Sequence, residues 1–145
     1  MKISISRLIV TLLVLLILCT RPTNTHAQTD RIVFAVIGDY GLAGQPEADV
    51  ANLVKSWNSD FIVTTGDNNY PNGTAETIDQ NIGQYYQEFI YPYKGKYGNG
   101  ATTQRFFPSL GNHDWGGNGV KPYLEYFGFR KNQTYYEFAQ GPVHF

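Results

Sequence analysis

The chain has 145 residues, with 11 Lys plus Arg against 12 Asp plus Glu, and a single Cys. The near-neutral charge excludes a strongly basic nucleic-acid binder and an acidic tail, and one Cys excludes a disulfide framework or a cysteine-rich zinc site. At 42% hydrophobic and 15% aromatic, the chain has the material for one packed core, so disorder is excluded as the default reading.

Lys2 and Arg7 precede an apolar run at residues 8–19, followed by polar residues and then Thr25-His26-Ala27. This pattern predicts a cleavable signal peptide over residues 1–27. The run falls short of the about 18–20 residues that a bilayer-spanning helix needs. Leu18 is too bulky for the small residue that precedes a lipidated Cys, which argues against an anchor at Cys19. Cleavage after Ala27 leaves 118 residues with no Cys, eight basic and twelve acidic, for a net charge of −4. The expectation is a secreted or periplasmic domain over residues 28–145, with no membrane contact after cleavage and no nucleic-acid partner.

Residues 31–37 (RIVFAVI) form a continuous apolar run bounded by Gly38-Asp39, as in a strand buried on both faces. Pro46 suits a first helical position, and Val50, Leu53, Val54 and Trp57 recur at helical spacing, predicting an amphipathic helix with those four on the inner face. Residues 60–65 (DFIVTT) read as a second buried strand ending at Gly66-Asp67. After a turn-rich loop, Thr74 is a candidate N-cap for a second helix carrying Ile78, Ile82, Tyr85, Tyr86 and Phe89 on one face. Residues 94–104 are glycine-rich and polar, which predicts a mobile loop. A third short strand at 105–110 runs into Gly111-Asn112-His113-Asp114. A short helix at 121–127 and strands at 134–138 and 142–145 complete the pattern, with His144 expected in the core.

The βαβαβ order, with helices between apolar strands, predicts parallel pairing and an α/β fold. Ligand sites in such sheets gather beyond the carboxyl ends of the strands. Asp39, Asp67 and Asn112 each follow a strand, so residues far apart in the chain are expected to converge there. Asn68, Asn69, Tyr70, His113 and Asp114 would join them. Carboxylates, an amide oxygen and a phenol are hard ligands, suited to iron(III), manganese, magnesium or zinc. Two such ions bridged by one carboxylate would form a template for attack on phosphorus. No glycine-rich nucleotide fingerprint follows any strand, which disfavours a dinucleotide-binding domain.

Gly38-Asp39-Tyr40-Gly41, Gly66-Asp67-Asn68-Asn69-Tyr70 and Gly111-Asn112-His113-Asp114 resemble the first three of five blocks of the calcineurin-like metallophosphoesterases. The GDxxY spacing of the middle block is similar to the purple acid phosphatase branch, and GDYGLAG, GDNNYPNG and LGNHDWGGN resemble its small, tartrate-resistant type. The resemblance runs from about Arg31 to the end of the chain. It implies an αββα sandwich, of which this chain would hold a truncated βαβαβ half. It further implies hydrolysis of phosphate monoesters by a hydroxide bound to two metal ions. Asp39 would bind the first ion, Asp67 would bridge both, Tyr70 would bind the first as phenolate, and Asn112 would bind the second. His113 would position the phosphate or protonate the leaving group. Asp114 would orient His113 or cap the next turn. Iron(III) is implied at the Tyr70 site, with iron(II), zinc or manganese at the second.

The family's remaining blocks supply three more metal-binding histidines, whereas this sequence has only His26, His113 and His144. The expectation is an N-terminal fragment with little or no turnover of its small phosphorylated substrate. Two rivals stand beside that reading. One is a manganese or zinc phosphodiesterase of the same superfamily, and the other is a non-catalytic secreted protein that binds metal or phosphate. Singly, Asp39 and Asp67 also read as strand-end caps, and Tyr40 and Trp115 as packing aromatics. Asn72 and Asn132 head glycosylation sequons that matter only in a eukaryotic secretory host. The sequence leaves the oligomeric state open.

Overall fold

A computed structural model describes residues 31–117 and 119–145; the predicted signal peptide lies outside them. Strand β1 (Phe34–Ile37) leads through a tight loop into helix α1 (Gln45–Ser56), which has Pro46 in its first turn and returns the chain to β2 (Phe61–Thr64). A composite helical segment follows, made of α2 (Ala75–Ile78), a π-helical turn (Asp79–Gly83), α3 (Gln84–Tyr86) and a 3-10 turn (Gln87–Phe89). Strand β3 (Phe106–Phe107) comes next, then a 3-10 turn (His113–Trp115) and α4 (Lys121–Tyr126). The chain closes with a hairpin of β4 (Ala139–Gln140) and β5 (Val143–His144).

The sheet runs in the order β1-β2-β3 and is parallel throughout. Ala35 lies opposite Ile62, and Ile62 opposite Phe106. Those three residues share one face. With Ile37 they meet Ala51 and Val54 of α1 and Ile78, Ile82, Tyr86 and Phe89 of the composite helix, forming the main core. The other face carries an aromatic stack. Phe34 stacks on Phe61 at 5.1 Å, Phe107 on Phe138 at 3.7 Å, and Phe138 on Phe145 at 4.9 Å between ring centroids. Phe138 and Phe145, which flank the hairpin, thereby lay it over β2 and β3. No helix among the described residues is long and apolar enough to cross a membrane.

The parallel βαβαβ arrangement agrees with the expectation from sequence, while several details differ. Of the four residues predicted on the inner face of α1, only Val54 is buried; Val50, Leu53 and Trp57 are exposed. The buried row is Glu47, Ala51 and Val54. Its small Ala51 lets the helix approach the sheet closely, and the larger apolar groups are left on the outer flank beside Val36. The glycine-rich loop is tied down rather than loose: the Lys96 amide donates to Asp79 Oδ2 (3.0 Å) and the Gly100 amide to Gln87 Oε1 (2.8 Å). The strand predicted at 134–138 does not form; backbone pairing begins only at Phe138, which exchanges hydrogen bonds with Phe145, and the strand itself at Ala139. His144 is exposed rather than in the core.

Candidate metal centre

The site is built where the three parallel strands stop. Beyond β1 the chain reaches Gly38-Asp39, and beyond β2 it reaches Gly66-Asp67. Both aspartates take the same left-handed backbone, each with φ of 54°. That conformation is uncommon outside glycine and is tolerated best by Asp and Asn. Its repetition at two neighbouring strand ends points to a functional demand on both positions.

Short backbone bonds hold the two loops in register. The Asp39 amide donates to the Gly66 carbonyl (3.2 Å), and the Tyr70 amide donates to the Gly41 carbonyl (2.8 Å). A Cβ on Gly41 would overlap the carbonyl oxygen of Asn68, and one on Gly111 would overlap the amide and carboxylate of Asp67. Glycine at these two positions lets the first loop touch the second, and the third touch the second.

The side chains then meet. The Tyr70 hydroxyl lies 3.1 Å from Asp39 Oδ1 and 3.3 Å from Asp67 Oδ2, within reach of its single hydrogen for either. The other oxygen of Asp67, Oδ1, accepts the backbone amide of His113 at 2.9 Å. Asp67 is thus the residue all three loops share. The His113 ring packs on the Tyr70 ring, with centroids 4.2 Å apart. Its Nδ1 is 2.7 Å from the Pro71 carbonyl oxygen. A carbonyl only accepts, so Nδ1 carries a hydrogen and Nε2 is the ring nitrogen turned away from that contact. Asn112 precedes His113 on the same turn and is exposed.

Burial, the hydrogen bond to Asp39 and the charge of Asp67 together push the Tyr70 phenol up to about 12. At neutral pH the phenol therefore keeps its proton.

Beneath this cluster lies a buried amide network. Asn68 Oδ1 accepts the hydroxyls of Tyr40 (2.9 Å) and Thr64 (2.6 Å), while its Nδ2 donates to the Ser109 carbonyl (2.6 Å) and Asp114 Oδ2 (2.8 Å). Asn69 donates to the Thr74 carbonyl and accepts from Thr77 and Asn81. Asn68 and Asn69 are fully buried and face the scaffold, not the cluster they were expected to join. Asp114 also differs from expectation. Its carboxylate takes the amides of Asn68 (3.1 Å) and Gly111 (2.9 Å), and the contact that orients the His113 ring comes from Pro71. Burial raises the Asp114 pKa, opposed by those amides.

Two contributors were not found by sequence reasoning. The Pro71 carbonyl gave no signal, because a backbone acceptor has none. Asn81 did: a polar residue sits three positions after Ile78 on an otherwise apolar helix face, where it needs buried partners.

The donor set suits a hard cation. Oxygens coordinated at about 2.0–2.1 Å around an octahedral ion are spaced about 3 Å apart, and the separations at Tyr70 are 3.1 and 3.3 Å. Among the described residues no three His, Cys, Asp or Glu side chains come together; here the third donor is a phenol.

The family model described as calcineurin-like phosphoesterase matches residues 32–143. No curated protein and no solved structure matches the chain.

Proposed function

This chain belongs to the calcineurin-like phosphoesterase family, and on that basis we propose that it forms the metal cradle of a phosphomonoesterase of the purple acid phosphatase type. The family is one of metal-dependent phosphoester hydrolases that bind two metal ions. We assign iron(III) to the site of Asp39, Asp67 and Tyr70. The second ion, iron(II), zinc or manganese, goes to Asp67 and Asn112. When bound, the two ions supply Lewis acidity toward a phosphoryl oxygen and a water acidic enough to ionise near or below neutral pH.

The chain's own residues do the rest. Asp67 has one oxygen held by the His113 amide and the other aimed at Tyr70, so its carboxylate cannot rotate away from the shared position. Tyr70 would hold the first ion through its phenol oxygen, and the cation's charge would favour the deprotonated form of that oxygen. His113, pinned through Nδ1 on Pro71, presents Nε2 to hold a proton for the leaving oxygen or a hydrogen bond for the phosphate. The substrate class is a small phosphorylated alcohol, met outside the cytoplasm after signal cleavage.

The observation that carries this reading is the Tyr70 hydroxyl seated between the carboxylates of Asp39 and Asp67. A manganese or zinc phosphodiesterase has no need of a phenol in that place. Iron(III) added to the purified chain is expected to give a visible phenolate-to-iron absorption band that disappears in Tyr70→Phe. A chain that stays colourless with iron yet cleaves a phosphodiester with manganese or zinc would refute the assignment.

A further inference from the structure

The composite helix contains a feature the reading above does not use. Its π-helical turn at Asp79–Gly83 widens the helix so that three consecutive residues, Asn81, Ile82 and Gly83, are all buried. A regular helix turns about 100° per residue and cannot direct three neighbours into one core without such a bulge. Ile82 fills the core, and the gain from the extra residue is the placement of Asn81.

The Asn81 amide reaches two of the three loops. Its Oδ1 accepts the Ala43 amide (3.0 Å), from the loop that carries Asp39. Its Nδ2 donates to the Tyr70 carbonyl (2.7 Å) and to Asn69 Oδ1 (2.8 Å), in the loop that carries Asp67. Both hydrogens of the amide are used, and the group is 4% exposed. Asn81 touches neither carboxylate nor the phenol oxygen; it grips the backbone of the residue whose phenol bridges them.

We infer that Asn81 is a positioning residue for the Tyr70 ligand, fixing that backbone so the phenol oxygen meets both aspartates. The inference rests on the metal reading proposed above. Loss of a group that orients a ligand typically lowers metal affinity by about 10–100-fold.

The test uses Asn81→Asp and Asn81→Ala in the full chain, with iron(III) alone as the probe. Asp is isosteric and still accepts from Ala43 but no longer donates to the Tyr70 carbonyl or to Asn69 Oδ1. Both variants should fold, as judged by far-UV circular dichroism, and bind iron(III) at least tenfold more weakly. Their phenolate-to-iron band should shift or lose intensity. In a Tyr70→Phe background, Asn81→Asp should cause little further loss of affinity, because its effect runs through Tyr70. Folded variants with wild-type affinity and an unchanged band would overturn the inference, and so would failure of both variants to fold, which would make Asn81 a general structural residue. A wild-type chain that takes up no iron(III) would instead overturn the metal reading itself.

Discussion

Asp114 offers the sharpest test of how the strand-end loops are held together. Its side chain is 1% exposed and accepts three donors: the Asn68 amide, one hydrogen of Asn68 Nδ2 and the Gly111 amide. Asp114→Ala leaves all three without an acceptor, in a place too enclosed to offer an easy substitute. Each stranded buried donor costs about 1–3 kcal/mol. Part of that is returned, because burial already disfavours the ionised carboxylate. The net loss should be about 3 kcal/mol, a large share of the about 5–15 kcal/mol that holds a domain together. Asp114→Asn keeps the shape but turns an NH2 toward groups that are themselves donors, and should cost about 2 kcal/mol. Urea unfolding at neutral pH measures both, with the slope unchanged and the midpoint lowered. Asn68→Ala combined with Asp114→Ala should be non-additive, since both remove the bond from Asn68 Nδ2 to Asp114. If Asp114→Ala lies within about 0.5 kcal/mol of wild type, the usual range of an uninvolved surface site, the stapling argument is wrong.

Two further expectations concern the same half of the molecule. Gly41→Ala drives a methyl group into the Asn68 carbonyl; the loops must part, at a cost of about 1–3 kcal/mol, and iron(III) affinity should fall with the urea midpoint. A folded Gly41→Ala chain with unchanged affinity would show that close contact between the loops is not needed. Glu47 is 3% exposed with Oε1 unpartnered, and burial pushes its carboxyl from 4.5 up to about 7. A raised carboxyl binds its proton more tightly in the folded state. Its stabilising contribution is therefore complete below pH 4.5 and is lost as pH rises through about 7. At about 1.4 kcal/mol per pH unit, the loss reaches about 3 kcal/mol, and Glu47→Gln should flatten that slope in urea midpoints measured from pH 4 to 8. An identical slope in the variant would place the titration elsewhere.

The site was more legible in the sequence than the packing around it. The meeting of Asp39, Asp67, Tyr70 and His113 could be foreseen because each sits at a fixed offset from a glycine at the end of an apolar run, and a parallel sheet brings such ends together whatever the details of the core. The face of α1 was misread because periodicity weights large side chains. Val50, Leu53 and Trp57 each carry far more apolar surface than Ala51, yet the closer approach of the small residue decides which row meets the sheet. The composite helix was located correctly along the chain, but its π turn was not foreseen, since one extra residue leaves the apolar spacing of Ile78, Ile82 and Tyr86 intact. Asn68 and Asp114 looked like site residues from their neighbours in sequence. Only the structure separates a polar group that faces the cluster from one that faces the protein beneath it.

Loops at the ends of neighbouring strands of one sheet make a common seat for hard cations. Anomalous diffraction from crystals of the chain soaked in iron(III) or manganese(II) tests it directly. The account predicts an anomalous peak within about 2–2.3 Å of Asp39 Oδ1, Asp67 Oδ2 and Tyr70 Oη together. A peak that reaches only one of these atoms, or one seated elsewhere on the surface, would contradict it.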